Sequence, residues 1–284
     1  MSGPDLDHLR KWVGRTESAS DVVTPRLVAS LLATLDRDGA VADGVPAPPA
    51  IHWCLAPAIA RRSALGPDGH PARGGFLPPV PLPRRMWAGG ALEFLDTLRV
   101  GDRVTRRSRI EDVVAKDGRS GALCFVTVAH DYATERGLAI QERQDIVYRD
   151  AARSSEAAAS VAATAVPPRP ATWTRALRAD AVMLFRYSAL TFNGHRIHYD
   201  RGYCLEEEGY PGLVVHGPLQ ATLLIDLAAT ALGAVPRRFE FRSVRPLFDG
   251  AGFTVNAAEE PDRRLALWVS DDRGYTTMTA TAWP

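Results

Sequence analysis

Lysine is almost missing from this chain of 284 residues. Only Lys11 and Lys116 are present, so 32 of the 34 basic residues are arginines, and 33 acidic residues leave a formal net charge of +1. A charge this small creates no long-range field for nucleic acid, and we expect no nucleic-acid partner. Arginine is the better bidentate ligand for carboxylate and phosphate, so local anion binding stays open.

Cysteines and long apolar runs are scarce as well. Cys54, Cys124 and Cys204 lie far apart and form no C-x-x-C pair, which favours a reducing compartment and argues against disulfides or structural zinc. No stretch reaches the roughly 18–20 apolar residues of a membrane helix. The N-terminal sequence MSGPDLDHLRKW lacks the apolar core of a signal peptide. We therefore predict a cytoplasmic protein without a membrane partner.

One segment divides the chain. With 284 residues, of which 46% are hydrophobic, the length suits one large domain or two modest ones. Residues 151–170, AARSSEAAASVAATAVPPRP, are rich in alanine and serine and end in prolines that stop helices and sheet pairing. We interpret them as a linker between an N-terminal half, 1–150, and a C-terminal half, 171–284. A single alanine-rich surface helix is the alternative.

Each half repeats one order of elements, an apolar helix followed by strands. Thr24 and Pro25 are typical of a helix start, and Gly39 of its end. In the second half, Gly217 begins and Gly233 ends a helix that is apolar almost all round and is therefore expected to be buried. The predicted strands span 102–113, 121–131, 139–149, 238–243, 264–270 and 275–283. Helices against antiparallel strands indicate an α+β fold, and the repetition suggests duplication.

Residues 40–90 fit this repeat poorly because they are crowded with proline and glycine. Long irregular stretches in compact domains are usually functional loops. We predict a covering loop that contains residues 66–90, with apolar contact area from Phe76, Met86 and Trp87. The alternative is a structural wrap over the sheet.

Residues suited to chemistry concentrate between 184 and 222, LFRYSALTFNGHRIHYDRGYCLEEEGYPGLVVHGPLQAT. Asn193, His195, His198 and Asp200 fall within eight residues, among aromatic side chains, as is typical of a binding pocket. His216 precedes the buried helix and orients the turn there. The N-terminus of that helix presents free N–H groups that can stabilise an oxyanion.

A metal site is the main competing interpretation of this cluster. His195 and His198 stand three residues apart in a glycine-containing segment, which is not H-E-x-x-H, and Asp200 adds only a weak third ligand. We predict no metal and no cofactor.

These residues resemble a known family. The stretch from Tyr187 to Asp200, followed by V-V-H-G-P, is similar to the MaoC-like, type 2 (R-specific) enoyl-thioester hydratases, whose signature resembles S-G-D-x-N-P-x-H with a later H-G. The segment F-N-G-H-R-I-H-Y-D is more similar to the branch of the family that contains hydroxyacyl-thioester dehydratase type 2 and itaconyl-CoA/mesaconyl-CoA hydratases. GGFLPPVPLPRRMWAGG at 74–90 and ERQDIVYR at 142–149 also resemble that branch. The resemblance implies a double hot-dog fold, two antiparallel sheets that each wrap a central helix.

The resemblance also implies roles for individual residues. It places the catalytic histidine on His198 and the H-G on His216 and Gly217. The family's aspartate, five residues before its histidine, is Asn193 here, and an amide can orient water but cannot exchange a proton. We therefore expect His198 to act as general base, Asn193 to position the water and the Gly217 amide to stabilise an enolate-like oxygen. The candidate substrate contacts are Arg84, Arg85, Trp87, Arg186, Tyr187, Val215 and His216.

The implied activity is reversible hydration of an α,β-unsaturated acyl-CoA. Arg84, Arg85 and Arg186 could each bind a second carboxylate on the acyl group, the phosphates of CoA, or acidic side chains of the protein. The role in binding a second carboxylate favours a short branched dicarboxylyl-CoA such as itaconyl- or mesaconyl-CoA as the substrate. The first half lacks an N-x-x-x-x-H element and is predicted to shape the acyl pocket without catalysis. The alternatives are a fatty-acid-type dehydratase, a thioesterase using Asp200 or residues 206–208, and a non-catalytic acyl-thioester binding subunit. A homodimer is compatible with all of these.

Overall fold

The computed structural model describes residues 5–118, 121–150 and 170–284. In these ranges the α-helices are α1 (Leu6–Arg10), α2 (Pro25–Thr34), α3 (Ala181–Leu190), α4 (Arg201–Glu206) and α5 (Gly217–Leu232). The strands are β1 (Thr16–Val22), β2 (Arg84–Phe94), β3 (Arg103–Gly118), β4 (Gly121–Thr134), β5 (Gly137–Arg149), β6 (Trp173–Arg178), β7 (Arg238–Ser243), β8 (Gly252–Glu259), β9 (Leu265–Asp271) and β10 (Thr276–Trp283). Every predicted strand is present, whereas β1, β2, β6 and β8 were not predicted.

The start of α2 follows its sequence signals, but its end does not. The Thr24 hydroxyl accepts a hydrogen bond from a first-turn N–H, and Pro25 occupies the first helical position, as predicted. The helix ends at Thr34 rather than near Gly39. Asp36 has a φ of 54°, a left-handed conformation that aspartate tolerates better than most residues and that stops the helix early.

The second half holds one long buried helix. α5 begins at Gly217 and ends where Gly233 adopts a φ of 71°, both as predicted. Its apolar residues from Leu219 to Ala228 are buried, and the helix packs against β7 to β10, which confirms that it is the central helix. Asp180 begins α3 by accepting a hydrogen bond at its first turn, as Thr24 does for α2.

All ten strands join one antiparallel sheet in the order β1-β3-β4-β5-β2-β7-β10-β9-β8-β6. Read from each edge toward the middle, the first half contributes 1-3-4-5-2 and the second 6-8-9-10-7. The two five-stranded units therefore have one topology and meet where β2 pairs with β7. This is the expected double hot-dog arrangement, with the two sheets fused edge to edge.

The position of β2 corrects the loop prediction. Residues 66–83 are irregular, but Met86 and Trp87 belong to β2 and do not lie in a covering loop. Because β2 contains glycines, its sequence did not indicate a strand. A Cβ on Gly90 would lie 2.9 Å from Cζ of Phe241, so glycine is required where the Phe241 ring crosses the seam between the halves.

The first half differs from the second in its helices. By order, β1 and α2 correspond to β6 and α3, and α2 packs against α3. The apolar helix of the first half is thus the counterpart of α3, not of the central helix, contrary to the expectation. Within 5–118 and 121–150 no long helix corresponds to α5, and a short 3-10 helix, Pro49–Cys54, packs on α5 instead.

Two apolar clusters hold these elements together. The larger combines both halves and includes Leu31, Leu224 and Phe239. The smaller buries Val80 and Leu82 with α1 against the first-half strands. Residues 76–82 therefore serve as the structural wrap that was the alternative interpretation.

The described ranges bear on two further predictions, the linker and the absence of a membrane helix. The predicted linker, 151–170, lies outside the described residues except for Pro170, so the domain boundaries stay predictions. In the described ranges, no helix has both the length and the apolar character required to cross a bilayer.

Candidate active site

His198 is held as a neutral base. It lies in a 3-10 turn, Arg196–His198, and is only 6% exposed. Its Nδ1 donates to the Val214 carbonyl at 2.7 Å, which leaves Nε2 with a free lone pair. Burial lowers the pKa of His198 to about 4, although the bond to Val214 acts in the opposite direction. The ring is therefore unprotonated at neutral pH.

His216 supports the ring of His198. The two imidazoles stack with centroids 3.6 Å apart and an angle of 18° between their planes. Nε2 of His216 lies 2.8 Å from the Ser188 hydroxyl. Burial lowers the pKa of His216 well below its usual value. His216 is thus an uncharged ring that packs behind His198, and it stands immediately before the start of α5.

Asn193 and His195 form the turn that precedes His198. Oδ1 of Asn193 accepts the backbone N–H of His195 at 3.0 Å. The turn is tight, because Phe192 has a φ of 50°. His195 lies edge-on to His198, with ring centroids 5.4 Å apart. The amide oxygen of Asn193 is therefore occupied within the turn, and its NH2 group is the part suited to donate to a water.

A loop of the first half adds a pair that the sequence interpretation missed. His70 lies on His195 with ring centroids 4.1 Å apart. Its Nδ1 is 3.0 Å from a carboxylate oxygen of Asp68. The only signal was the string P-D-G-H among glycines and prolines, which is too short to be recognised without its spatial neighbours.

Backbone contacts fix this loop against the site. The N–H of Arg196 donates to the Asp68 carbonyl at 2.9 Å, and the Arg196 guanidinium donates to the Pro67 carbonyl at 3.1 Å. Gly69 has a φ of 86°, and a Cβ there would overlap the carbonyl oxygen of Gly194. The Asp68–His70 pair is therefore part of the site.

The four histidines and Asp68 share one electrostatic environment. Burial lowers the pKa of His195, and the neighbouring His70 and His198 lower it further, while Asp68 raises it. Burial also lowers the pKa of His70, against the hydrogen bond that His70 donates to Asp68. For Asp68 itself, burial raises the pKa, but the hydrogen bonds that it accepts from His70 outweigh burial and hold the pKa below its usual range. The cluster therefore combines neutral imidazoles with one carboxylate.

Gly217 places the start of α5 next to this cluster. It follows His216 directly, and a Cβ on it would lie 3.5 Å from the indole of Trp87. Trp87 packs with Trp53 and Phe241. The first N–H groups of α5 thus meet an apolar aromatic wall, an environment in which an amide donor interacts strongly with a developing oxyanion.

Arg84 and Arg85 have different surroundings. The Arg84 guanidinium pairs with Glu208 at 3.0 Å and stacks over Tyr210. Arg85 forms no ion pair with a carboxylate of the described residues. Its positive charge instead lowers the pKa of His70 and His195 after the larger effect of burial. Arg84 thus satisfies a structural acid, whereas Arg85 faces the histidines.

Two further groups surround Arg85. It stands opposite Tyr148 in the pairing of β2 with β5. Burial raises the pKa of Tyr148, and the charge of Arg85 opposes this. The Arg73 guanidinium lies 5.7 Å from the centre of the Tyr148 ring and donates to the Val80 carbonyl. Arg73 and Arg85 therefore give the side of the site next to Tyr148 a positive charge.

The other predicted contacts are less central. Tyr187 is buried, with its hydroxyl 3.1 Å from that of Thr222 and its ring 5.1 Å from His216. Val215 is buried behind the cluster. Arg186 lies on the exposed face of α3, and the described contacts do not bring it to the histidines.

Two of the carboxylates considered for thioester hydrolysis, Asp200 and Glu208, have structural partners. Asp200 caps α4 by accepting the Tyr203 N–H and pairs with Arg196. Glu208 pairs with Arg84 and accepts the Tyr203 hydroxyl at 3.0 Å. Neither is free to attack a thioester.

One group of residues has the spacing of metal ligands. Donor atoms of Asp68, His70 and His195 all lie within 4.8 Å of one another; this differs from the His195, His198 and Asp200 set weighed from the sequence. The positive charges of Arg85 and Arg73 act on His70, which disfavours a cation between these ligands. We assign it no metal.

A cavity of about 680 Å³ lies elsewhere, on the face of the second-half sheet that carries Thr254, Asn256 and Trp268. Strand alternation turns these residues away from the core positions Val255 and Leu267. The cavity contains none of the histidines, so the chemistry is not located there.

The fold and the histidine site together define a MaoC-like dehydratase with a double hot-dog fold. The structure superposes on a MaoC-like dehydratase from Phytophthora capsici with a TM-score of 0.73 at 12% identity, covering 99% of this chain and 98% of that chain. It also superposes on a Mycobacterium tuberculosis protein described as having a double hotdog fold, with a TM-score of 0.57 at 13% identity and 95% of each chain covered. At these identities the superpositions show the fold.

Sequence similarity identifies the family. The profile of Hydroxyacyl-thioester dehydratase type 2 matches residues 50–249. The chain is 45% identical over 271 residues to the Mesaconyl-C(4)-CoA hydratase of Chloroflexus aurantiacus, with 95% of each protein covered. The chain belongs to the hydroxyacyl-thioester dehydratase type 2 family of MaoC-like hydratases and is a hydro-lyase.

Proposed function

We propose that this protein adds water reversibly to the double bond of a short dicarboxylyl-CoA, with mesaconyl-C4-CoA as the first substrate to test and itaconyl-CoA as the second. The observation that supports a dicarboxylic substrate is Arg85, a guanidinium without an acidic partner among the described residues. It stands opposite Tyr148 in the sheet, and its charge acts on His70 and His195. A guanidinium binds a carboxylate bidentately. In mesaconyl-C4-CoA the free carboxylate is attached to the carbon that takes up the water, and Arg85 would bind it there.

In this proposal His198 carries out both proton transfers. Nε2 of His198 takes a proton from water while the water oxygen bonds to Cβ of the enoyl thioester. The electron pair of the double bond moves to the thioester oxygen as an enolate, and the protonated His198 then gives its proton to Cα. The NH2 group of Asn193 orients the water. One histidine is sufficient because the proton it removes is the one it returns.

The Gly217 N–H stabilises the enolate oxygen. The start of α5 adds the positive end of the helix dipole, and the wall of Trp87, Trp53 and Phe241 excludes solvent. One donor of this kind contributes about 3–4 kcal/mol to the stabilisation of a transition state.

The test is hydration followed by the loss of enoyl-thioester absorbance, across a panel of mesaconyl-C4-CoA, itaconyl-CoA and a monocarboxylic enoyl-CoA of similar size. We expect kcat/KM to be at least about tenfold higher for a dicarboxylyl substrate, as one bidentate ion pair predicts. Equal rates on the monocarboxylic substrate would support the fatty-acid-type dehydratase instead. Release of free thiol at constant enoyl absorbance would indicate a thioesterase, and binding without turnover a non-catalytic subunit.

Two predictions from the sequence stay with this proposal. Cys54, Cys124 and Cys204 are buried free thiols, which suits a reducing compartment such as the cytoplasm. A homodimer is tested by sedimentation equilibrium of the purified chain.

A further inference from the structure

We propose that Asp68 and His70 are positioning residues for the hydration reaction, and that through His195 they supply the negative charge that offsets the positive charge His198 gains when it takes a proton from water. The inference rests on the proposed function, in which His198 is the base. It assigns a role to a loop of the half that lacks the catalytic motif.

The contacts form a continuous series of rings. Asp68 holds Nδ1 of His70 at 3.0 Å, His70 lies 4.1 Å from His195 between ring centres, and His195 lies 5.4 Å from His198. The imidazole of His70 is also close enough to influence His198 directly, since its charge lowers the pKa of His198 after the larger effect of burial. A charge on one imidazole ring therefore changes the pKa of the next ring.

The loop is built to hold this pair in place. The N–H of Gly66 donates to the His70 carbonyl at 2.7 Å and the N–H of Gly69 to the Gly66 carbonyl at 3.0 Å, which closes a compact turn. The backbone N–H of His70 also donates to the Asp68 carboxylate. With the contact of Gly69 on Gly194, the carboxylate is fixed relative to His195 without dependence on a mobile side chain.

The charges around the cluster explain why a carboxylate is needed. The groups that face His70 are Asp68 and Arg73 from its own loop, Arg85 from β2, and His195 from the turn before His198. His195 faces Asp68, His70, His198 and Arg85. Two guanidinium groups and three imidazoles surround the site where a further positive charge must form, and Asp68 is the carboxylate that opposes them.

The position of Asp68 also bears on the exchange of aspartate for asparagine. In the hydratase signature that this chain resembles, the acidic group stands five residues before the histidine, where Asn193 stands here. Asn193 offers no negative charge. Asp68 restores a carboxylate beside the catalytic histidines from a distant part of the chain, and it acts through two imidazoles.

The variant that tests this is Asp68→Asn. Asparagine keeps an oxygen that accepts the His70 N–H but loses the charge. Because the carboxylate favours the protonated form of the histidines, its loss makes His198 a weaker base. We expect kcat to fall by about tenfold or more and the acid limb of the kcat/KM profile to move to lower pH. His70→Asn removes a ring whose charge lowers the pKa of His198, so in that variant the acid limb should move the other way, to higher pH.

The matched control is Asp200→Asn. It removes a carboxylate that stands two residues after His198 and weakens a helix cap, but Asp200 pairs with Arg196 and not with a histidine. We expect the acid limb to stay within about 0.2 pH units of the wild type. Asp68→Glu, which retains the charge, should recover part of the lost rate.

A second measurement is independent of substrate. NMR titration of the labelled histidine rings of the full chain reports the pKa of His195 and His198, and both should move lower in Asp68→Asn. If Asp68→Asn is folded and retains the wild-type kcat, acid limb and histidine titrations, the inference is wrong. If the variant does not fold, His70→Asn decides: an acid limb and histidine titrations unchanged from the wild type overturn the inference. If the wild type hydrates no thioester, the proposed function fails while the titration still tests the charge relationship.

Discussion

Gly69 and Gly194 touch backbone to backbone, although 125 positions separate them in the sequence. A Cβ on Gly194 would lie 2.9 Å from the carbonyl oxygen of Gly69, and a Cβ on Gly69 would overlap the carbonyl oxygen of Gly194. This contact joins a loop of the first half to the turn before His198. It brings Asp68 and His70 into a site whose other histidines all belong to the second half.

Replacing Gly69 with alanine should separate these two loops. The methyl group cannot be accommodated without a backbone shift, and the φ of 86° is unfavourable for any residue with a side chain. We expect kcat/KM to fall by about tenfold or more, a loss measured by the hydration assay.

Gly14→Ala is the control for Gly69→Ala. Gly14 has a similar φ of 83° but has nothing within 4 Å of the position of a Cβ. Both variants lose about 1 kcal/mol from the strained conformation, and Gly69→Ala loses more because its methyl group overlaps the Gly194 carbonyl. Equal activities of the two variants would mean that the loop contact does not matter for catalysis.

His198→Ala should lower kcat by at least about a hundredfold in a folded protein, because it removes the proposed general base. The measurement is turnover on the best substrate of the panel, with circular dichroism to check the fold. His8→Ala removes an exposed histidine of α1 and should leave turnover unchanged. A His198→Ala variant with more than about a tenth of the wild-type kcat contradicts the mechanism.

Arg85→Met should reduce selectivity for a dicarboxylyl substrate. Methionine keeps apolar bulk but removes the cation, so we expect KM for mesaconyl-C4-CoA to rise by about tenfold or more, with a smaller change for a monocarboxylic enoyl-CoA. Arg84→Met is the matched variant on the neighbouring residue. Since Arg84 pairs with Glu208, its loss should reduce stability and leave the selectivity ratio unchanged. A selectivity change in Arg84→Met alone would reverse the assignment of the two arginines.

The neutral histidines should make the protein sensitive to mild acid. Burial lowers the pKa of His195, His198 and His216 in the folded state, so the unfolded chain binds more protons below pH 6.5. The free energy of unfolding should therefore be fully retained above about pH 6.5 and fall as the pH drops toward 4. The slope is at most about 1.4 kcal/mol per pH unit for each histidine.

Urea denaturation at pH 7, 6 and 5 measures this effect. This pH range lies above the range in which ordinary carboxylates titrate, so the histidines account for most of the change in the free energy of unfolding. In His198→Ala the slope should be smaller than in the wild type, because one of the buried histidines with a lowered pKa is gone. A free energy of unfolding that is constant from pH 7 to pH 5 would show that the histidines are not held neutral by burial.

Local sequence predicted the elements whose signals are contiguous. Thr24 and Pro25 mark the start of α2, Gly217 and Gly233 enclose α5, and alternation along 238–243 predicts β7. The predictions failed where a distant contact decides the structure. β2 contains two glycines that look like a loop in isolation. A Cβ on Gly89 would overlap the Phe241 carbonyl oxygen, and a Cβ on Gly90 would overlap the Arg143 carbonyl oxygen and the Phe241 ring, so both are explained by the neighbouring strands.

The scarcity of lysine and the compact group of Asn193, His195 and His198 were visible in the sequence alone, and so was the likeness to hydratases, because these features lie within short stretches of the chain. Only the tertiary structure decided which arginine is available and where the carboxylate is. Arg84 and Arg85 are adjacent in sequence, yet strand alternation turns one toward Glu208 and the other toward the histidines. Asp68 lies beside His195 because two glycine backbones pack together across the fold, a contact that no local pattern specifies.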